Sequence, residues 1–516
     1  MRALATLAVA TTMTVLPLGL SAPSARADAD GCEVGVTSDF NGDGRTDAVV
    51  ADPTATVSGQ AAAGRIIVLY GDADGLIGEG TRGALSEGSG SVLGAPEAGD
   101  RFGFSLAVLD VDCDGYTDVA VGVPYEDIGA STDVGMVHVV WGSPAGLGLG
   151  DSSTIWRSTS FGQTEHAGDR FGFAVDGVED DGQGGTPAPD AYVLAIGVPG
   201  AVVSGHDNAG AVALRAPLDG GGANHWLTQD TPGLPGAAEA GDGFGSAVSC
   251  NYLIGGGEFD CIVGSPGEDV GSAVDAGTAS VINDIYFEDE YTGTTIDQNS
   301  SGVPGVAEAG DRYGAAVDTI LVGTTARAAI AAPGEDVGSA NGAGSVQLFS
   351  SNTTTLNPGT GLSQNTSGVG GSAESGDAFG SSLAWIAPGL GDSQTRLAVG
   401  VPTENTTAGT DAGIVQVFPM SSLGSDVTWS QNSSGVPGVA QAGDRFGAAV
   451  ATVAGASERA LLIGVPDDVT NATGMVDVIP FGGGNPRGWI PGTGGIPSSG
   501  LGRWGFAIGG VSGGGE

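Results

Sequence analysis

The chain contains no lysine: its 16 basic residues are all arginines, against 60 acidic residues, and the net charge is −44. A lysine-dependent P-loop or Schiff-base mechanism is therefore excluded. A surface of this charge repels nucleic acid and anionic membranes, so we expect neither a nucleic-acid partner nor insertion into a membrane. The same charge favours solubility and the binding of cations.

Histidine is also scarce, and none of the four histidines falls in an H-E-x-x-H motif. The segment 510–514 matches G-x-S-x-G formally, but it lies in a glycine-rich tail and not at a strand-to-helix turn. Paired carboxylates are abundant, and no pair stands out as a glycosidase site. The sequence therefore favours a non-enzymatic protein, with a secreted hydrolase or lyase as the alternative.

Cysteine is limited to four residues, for which three pairings are possible. Cys250 and Cys261 flank the segment "NYLIGGGEFD" and could bridge the mouth of one hairpin, which would leave Cys32 with Cys113. A zinc site is the competing interpretation, but neither a C-x-x-C motif nor clustered histidines support it.

The N-terminus has the pattern of an export signal. Residues 1–27 begin with Arg2, continue with a mostly apolar stretch, and end on the A-x-A-like sequence Ala25-Arg26-Ala27. We therefore expect residues 28–516 to form a mature protein that is secreted and extracellular, where disulfides are stable.

Long hydrophobic runs are missing from the rest of the chain. Glycine accounts for 96 of the 516 residues, and the apolar residues occur in short alternating runs such as "DVAVGV" and "MVHVVWG". Short strands punctuated by glycine predict an all-β fold.

A repeat organises these strands. A Phe-Gly pair or its equivalent recurs at intervals of 58 to 73 residues, and the aromatic positions are Phe102, Phe171, Phe244, Tyr313, Phe379, Phe446 and Trp504. A proline closes each of the first six units, and Pro53 provides one further close near the N-terminus. A fixed period with fixed internal punctuation indicates a repeat architecture.

Each unit contains four apolar runs, which predicts a four-stranded antiparallel blade, and seven closes predict a seven-bladed β-propeller. The simplest closure makes residues 504–511 the inner strand of the blade that begins near Asp39. Residues 32–38 align with the same position, so the two terminal segments compete for it. Closure by N- and C-terminal strands would remove the open edge of the sheet.

Two segments carry calcium-type spacing. The first reads D-x-N-x-D-G-x-x-D and the second D-x-D-x-D-G-x-x-D, at residues 39–47 and 110–118. Alternate side chains of a tight loop point the same way, the glycine permits the turn, and calcium prefers six to eight oxygen ligands. We therefore predict two Ca²⁺ sites, with these ligands: Asp39, Asn41, Asp43, the carbonyl of Arg45 and Asp47; then Asp110, Asp112, Asp114, the carbonyl of Tyr116 and Asp118.

The remaining acidic motifs are weaker. In the third unit Asp176, Asp180, Asp181 and Asp190 are irregularly spaced and form only a degenerate loop. A Gly-Asp step precedes most Phe-Gly pairs, and acidic residues such as Glu126 and Glu268 follow several closing prolines. Because these recur in each blade, we expect them to cap backbone N–H groups in turns, and extra cation binding is the alternative.

The Phe-Gly starts, the aspartate loops and the Gly-Val-Pro closes together resemble the FG-GAP repeat proteins, of which the propeller of integrin α subunits is the best-known member. The resemblance extends over residues 32–511. It implies a calcium-stabilised extracellular module for binding or adhesion. The lysine-free, alanine- and glycine-rich composition resembles that of secreted proteins from high-GC bacteria. We expect a monomer whose partner is an extracellular protein or glycan. The alternative hydrolase or lyase would have its site at the channel mouth.

Overall fold

The computed structural model describes residues 38–509 apart from 72–81, 180–191, 219–220, 255–258, 284, 286–290, 352–354, 390–391, 455–458, 469, 471–472 and 482–483. The predicted signal peptide and Cys32 lie outside the described residues. The described residues form 28 strands and one short 3₁₀ helix, Ser158–Phe161. No helix in this part of the chain has the length and apolar character needed to cross a membrane.

The strands form seven four-stranded sheets, and the last strand along the chain completes the first sheet. In chain order they are β1 (Ala48–Asp52), β2 (Arg65–Leu69), β3 (Arg82–Leu85); β4 (Ser105–Leu109), β5 (Asp118–Val123), β6 (Met136–Val140), β7 (Thr154–Trp156); β8 (Val175–Glu179), β9 (Tyr192–Val198), β10 (Ala211–Leu218), β11 (Gly221–Leu227); β12 (Ala247–Asn251), β13 (Asp260–Ser265), β14 (Thr278–Asn283), β15 (Thr292–Ile296); β16 (Ala316–Val322), β17 (Thr325–Ala332), β18 (Ser345–Ser351), β19 (Leu356–Leu362); β20 (Ser382–Ile386), β21 (Arg396–Val401), β22 (Ile414–Pro419), β23 (Val427–Trp429); and β24 (Ala449–Ala454), β25 (Arg459–Val465), β26 (Met475–Phe481), β27 (Arg487–Trp489), β28 (Ala507–Gly509).

Each group is an antiparallel sheet whose strands pair in chain order, and blade 1 is the sheet β28-β1-β2-β3. The first strands of successive blades contact one another around a complete circle, from β28 through β4, β8, β12, β16, β20 and β24 back to β28. The predicted all-β, seven-bladed propeller is therefore confirmed.

The ring is closed by the C-terminal strand. β28 pairs antiparallel with β1, with Ile508 opposite Val50 and Gly509 opposite Val49. Residues 507–509 therefore take the inner position of blade 1, as the closure through residues 504–511 predicts. Residues 32–37 of the competing segment 32–38 lie outside the described residues.

The Phe-Gly aromatic rings fill the spaces between blades. Phe102 is fully buried in a cluster that combines Val49 and Ile66 of blade 1 with Val119 and Val121 of blade 2. The equivalent rings of the other units are 0 to 1 % exposed. The core is thus distributed between adjacent sheets, and each aromatic ring stabilises the contact of two blades.

The glycine of the pair is required by a close approach. Gly103 has a φ of 87°, and a Cβ there would lie 2.9 Å from the Cβ of Ala51 in the neighbouring blade. Its N–H donates to the carbonyl of Gly122 in its own blade, while the N–H of Phe102 donates to Ala63 of the previous blade. The pair therefore connects two blades through the backbone.

The common direction of the inner strands gives the propeller two different faces. We call the face where inner strands begin the entry face, which carries residues 101–104 and 124–127, and the face where they end the hairpin face, which carries residues 39–47 and 110–118. Both predicted calcium loops lie on the hairpin face.

Candidate functional site: aspartate loops and an arginine–aromatic face

The second aspartate loop connects β4 to β5 and brings three carboxylates together. Asp110, Asp112 and Asp118 each offer an oxygen, and these oxygens lie within 4.8 Å of one another. Oxygens that surround a calcium ion at 2.3–2.6 Å are separated by at most about 5 Å, so this spacing fits one shell. Asp110 and Asp118 are buried and Asp112 is exposed.

The turn of this loop is organised by its first aspartate. Asp110 Oδ2 accepts the N–H of Gly115 at 2.9 Å, and its Oδ1 accepts the N–H of Asp114 at 3.3 Å. Gly115, at the sixth position, has a φ of 84°, which is the conformation for which a glycine was expected there. The backbone N–H of Asp110 donates to Glu179 of blade 3, a contact that the sequence did not indicate.

The ninth-position aspartate fixes the backbone in both loops. Asp118 accepts the N–H groups of Val111, at 2.8 Å, and of Gly142 beyond β6, at 2.7 Å. Asp47 accepts those of Phe40 and Gly71 in the same way. Burial raises the pKa of Asp118 to about 9 and of Asp47 to about 7. These two residues are structural as well as candidate ligands, because a carboxylate oxygen can accept a hydrogen bond and still bind a cation.

The first loop is organised similarly but is less convergent. Asp39 is buried and accepts the N–H groups of Gly42 at 2.8 Å and Gly44 at 2.7 Å. Asp43 pairs with the Arg45 guanidinium at 3.5 Å and accepts that residue's N–H. The aspartates of this loop do not form a group within 4.8 Å of one another, in contrast to those of the second loop.

The two loops contact each other, which the sequence did not predict. The Thr117 N–H donates to the Asp39 carbonyl at 3.0 Å, and the Asp39 N–H donates to the Thr117 hydroxyl at 3.1 Å. The Tyr116 ring lies so close to Gly42 that a Cβ there would be 2.4 Å from Tyr116 Cε1. The predicted sites are therefore one structural unit across blades 1 and 2.

The third and fourth units are stabilised by other contacts. Asp176 lies in β8 and accepts the Cys250 N–H of β12 at 2.7 Å, so it belongs to an inner-strand contact and not to a loop. The other three candidate acids, Asp180, Asp181 and Asp190, lie outside the described residues. Cys250 and Cys261 form the predicted disulfide between β12 and β13. Cys113 is also disulfide-bonded, and its predicted partner, Cys32, is outside the described residues.

The Gly-Asp aspartates cap turns, as expected from their recurrence. Each accepts the backbone N–H of the residue three positions earlier, at 2.5 to 2.7 Å, and the acceptors are Asp100, Asp169, Asp242, Asp311, Asp377 and Asp444. All six are buried. Their primary role in the fold is therefore to satisfy turn N–H groups.

The entry face carries an arginine–aromatic cluster that the sequence analysis missed. Phe104 lies 5.0 Å from Phe173, 5.4 Å from Phe506 and 5.5 Å from Tyr125, measured between ring centroids. These rings come from blades 1, 2 and 3. The sequence signal was the phenylalanine that follows Phe-Gly or Trp-Gly in only these three units.

Two arginines lie against Tyr125. The guanidinium carbon of Arg101 is 4.4 Å and that of Arg170 is 5.9 Å from its ring centroid. Within the described residues neither arginine forms an ion pair, whereas Arg503 binds Asp467 at 2.6 and 2.7 Å. Both have a positive φ, 61° and 58°, which is uncommon for a side chain of this size.

Seven four-stranded antiparallel sheets, with aromatic residues between them, define this protein as a β-propeller. Residues 102–140 match the family model for the FG-GAP repeat. The chain therefore contains an FG-GAP repeat within a seven-bladed β-propeller.

Two kinds of relative match part of the chain. The rat phosphatidylinositol-glycan-specific phospholipase D is 37% identical over 110 residues, 21% of this chain and 13% of its own. Integrin alpha-PS2 of Drosophila melanogaster is 33% identical over 166 residues, 31% of this chain and 11% of its own. Integrin alpha pat-2 of Caenorhabditis briggsae is 34% identical over 160 residues, 28% of this chain and 12% of its own. The match thus spans about an eighth of these relatives.

One solved structure aligns with most of this chain. A 6-phosphogluconolactonase candidate from Bacteroides fragilis aligns with 90% of this chain and 97% of its own, at a TM-score of 0.42 and 10% identity.

Proposed function

We propose that this protein is a secreted, calcium-binding FG-GAP propeller that acts as a non-enzymatic binding or adhesion module for an extracellular protein or glycan. The disulfide between Cys250 and Cys261 supports an extracellular location, because such bonds persist in oxidising surroundings. The protein acts as a monomer in this proposal.

Calcium has a structural role in the proposal. The convergence of Asp110, Asp112 and Asp118 supports it, because three carboxylates this close repel one another unless a proton or a cation intervenes. The direct contact between the two loops means that an ion in one loop would also stabilise the other. Calcium would therefore hold blades 1 and 2 together on the hairpin face.

The binding role is carried by the arginine–aromatic cluster on the entry face. Arg101 and Arg170 lack acidic partners among the described residues of a chain with 60 acidic residues. They flank Tyr125 beside Phe104 and Phe173, so cationic groups and ring faces adjoin each other. This combination suits an anionic ligand with an apolar or ring surface, such as an acidic glycan or an acidic peptide segment.

A binding screen tests this role. The purified protein is applied to arrays of acidic and neutral glycans and to extracellular protein extracts, with calcium present. Arg101→Ser with Arg170→Ser should reduce binding to an acidic ligand at least tenfold, and the loss should shrink as salt rises. Arg312→Ser with Arg487→Ser removes the same number of charges at exposed positions of other blades and is the charge-matched control. Equal binding by both variants would contradict the assigned face.

A second candidate is a hydrolase with its site at the mouth of the channel. The similarity to the rat phosphatidylinositol-glycan-specific phospholipase D favours it, and Arg101 and Arg170 could bind a phosphate. Phosphodiesters, esters and polysaccharides are the substrates to screen. Turnover by the wild type that is lost in the Arg101→Ser, Arg170→Ser variant would support the hydrolase and contradict the non-enzymatic binding module. Inactivity on all three substrate classes would contradict the hydrolase.

A further inference from the structure

A polar contact recurs between neighbouring blades near the entry face. A glutamine amide that follows the outer strand of one blade donates to a carboxylate that follows the second strand of the next blade. The pairs are Gln229–Glu268, Gln298–Glu335, Gln364–Glu404 and Gln431–Asp468. Each amide supplies a hydrogen to an acid that is largely removed from water, and so stabilises it.

At blade 2 a glutamate takes the position of the glutamine in this contact. Glu87 lies 13 residues before the turn aspartate Asp100, as Gln229 lies 13 residues before Asp242. Glu87 therefore replaces the glutamine, and Glu126 is the counterpart of Glu268. An acceptor has taken the place of the only amide donor, so three carboxyl groups meet where other blades place two.

The three carboxyl groups are close enough for one coordination shell. Glu87, Asp100 and Glu126 each offer an oxygen, and these atoms lie within 4.8 Å of one another. Glu87 and Asp100 are each 2 % exposed. The separation is that of oxygens around a cation at 2.3–2.6 Å.

Glu87 is held by one oxygen and leaves the other without a donor. His138 Nε2 lies 3.2 Å from Glu87 Oε1, and His138 Nδ1 lies 3.2 Å from the Ser153 hydroxyl. Ser153 accepts the Leu93 N–H, so its own hydrogen is available for Nδ1, and Nε2–H donates to Glu87. Oε2 of Glu87 and Oε2 of Glu126 are both buried and accept no hydrogen bond. A buried carboxylate oxygen in this state costs free energy unless a cation or a proton satisfies it.

The counterpart location in blade 5 has room for a small ligand. In blade 5 the counterpart positions Gln298, Glu335 and Gln347 line a recess of about 300 Å³. That recess is open to solvent.

We propose that Glu87, Asp100 and Glu126 form a binding site for a divalent cation that prefers oxygen ligands, such as Ca²⁺ or Mn²⁺. His138 is a positioning residue that orients Glu87. The site is separate from the aspartate loops, because Asp100 and Glu126 lie at the entry face and the loops lie at the hairpin face. It would join blades 1 and 2 on the face opposite to the loop contact.

The test uses Mn²⁺ as the probe and locates it directly. Crystals of the full mature chain soaked in MnCl₂ should show an anomalous peak between Glu87, Asp100 and Glu126. In Glu87→Gln, which restores the residue of the sister blades, this peak should vanish, while any peak at Asp110, Asp112 and Asp118 should remain. Mn²⁺ titration by calorimetry should show one fewer site in the variant. The loop peak reports separately on the calcium proposal.

Either of two results overturns the site: no peak at the three carboxylates of the wild-type protein in 10-fold excess Mn²⁺, or an unchanged peak in Glu87→Gln. Folding of the variant is checked by its melting temperature in EDTA, which should equal or exceed that of the wild type because an amide donor replaces a repelling carboxylate. If Glu87→Gln fails to fold, Glu126→Gln removes a ligand at the less buried side and should give the same loss of Mn²⁺.

Discussion

Blades 2 and 4 stabilise the same hairpin in different ways. In both, a hairpin on the hairpin face leads from the inner strand to the second strand: from β4 to β5 in blade 2, and from β12 to β13 in blade 4. Blade 2 has the three converging carboxylates of the aspartate loop. Blade 4 has no such ladder, and Cys250 and Cys261, which are directly opposite each other in the two strands, are covalently joined.

Both hairpins have an aspartate at the start of the second strand. Asp260 begins β13 as Asp118 begins β5, and Asp260 accepts the N–H groups of Leu253 at 2.9 Å and Ile254 at 2.6 Å. The closing aspartate is therefore kept where the rest of the ladder is absent. The comparison separates two roles: the ninth-position aspartate holds the loop backbone, and the earlier positions decide whether the hairpin can bind an ion.

The largest effect is expected from removing the shared aspartate. Asp118→Ala leaves the buried N–H groups of Val111 and Gly142 without an acceptor, and Asp260→Ala does the same to two N–H groups in blade 4. At about 1–3 kcal/mol for each unsatisfied group, we expect each substitution to lower the free energy of unfolding by about 2–6 kcal/mol. Urea denaturation in EDTA measures this without any contribution from calcium.

The matched control is Asp114→Ala, at an exposed position of the same loop, which should change stability by no more than about 0.5 kcal/mol in EDTA. If Asp118→Ala were as mild as this control, the aspartate would serve the ion alone, and the proposed common role in blades 2 and 4 would be wrong.

The next effect concerns the covalent link of blade 4. Replacing both Cys250 and Cys261 by serine opens a loop with a sequence separation of 11. The loss of chain-entropy stabilisation is about 3 kcal/mol for a loop of this size. The loss should be the same with calcium and with EDTA, because blade 4 has no aspartate ladder. A loss that depends on calcium would contradict this division between the two hairpins.

Much of this arrangement could be predicted from the sequence, because it is local or periodic. The Phe-Gly spacing predicted the blades and the seven closes predicted their number, whereas residues 32–38 and 504–511 both remained candidates for the closing strand. The flanking positions of Cys250 and Cys261 predicted their bond. These features depend on the period of the chain and on residues that are neighbours along it.

The contacts between blades could not be predicted in the same way. Tyr116 packs on Gly42, and Glu179 accepts the Asp110 N–H, across blade boundaries that only the curvature of the ring creates. Arg101 and Arg170 are 69 positions apart in the sequence, and their shared contact with Tyr125 is visible only when blades 2 and 3 are adjacent. A repeat pattern fixes each unit, but it does not specify which side chains of different units meet.

A smaller effect is expected from calcium in blade 2. An ion at 100 times its dissociation constant stabilises a site by about 2.7 kcal/mol. Thermal unfolding with calcium and with EDTA should therefore show a higher melting temperature with calcium. Asp112→Ala should reduce this difference without changing the melting temperature in EDTA, because Asp112 is exposed.

Asp43→Ala in the first loop is the comparison for this measurement and should leave the contribution of the second loop in place. A wild-type melting temperature that does not respond to EDTA would contradict a structural role for calcium in either loop.

The smallest effect concerns protons at Glu268, the carboxyl that Gln229 contacts in blade 4. Burial raises the pKa of Glu268 from 4.5 to about 7, although the Gln229 hydrogen bond opposes the shift. Between pH 4.5 and 7 the folded protein therefore holds a proton that the unfolded chain has released, so stability falls as the pH rises through this window. Glu268→Gln should remove this part of the slope, as measured by urea denaturation from pH 4 to 8 in calcium-free buffer. Asp269→Asn removes the same charge at the exposed neighbouring position and should leave the slope unchanged. If Glu268→Gln kept the wild-type slope, the Gln229 contact would hold Glu268 as an ionised carboxylate throughout this pH range. The contrast between a protonated acid in blade 4 and a cation-bound cluster in blade 2 would then be wrong.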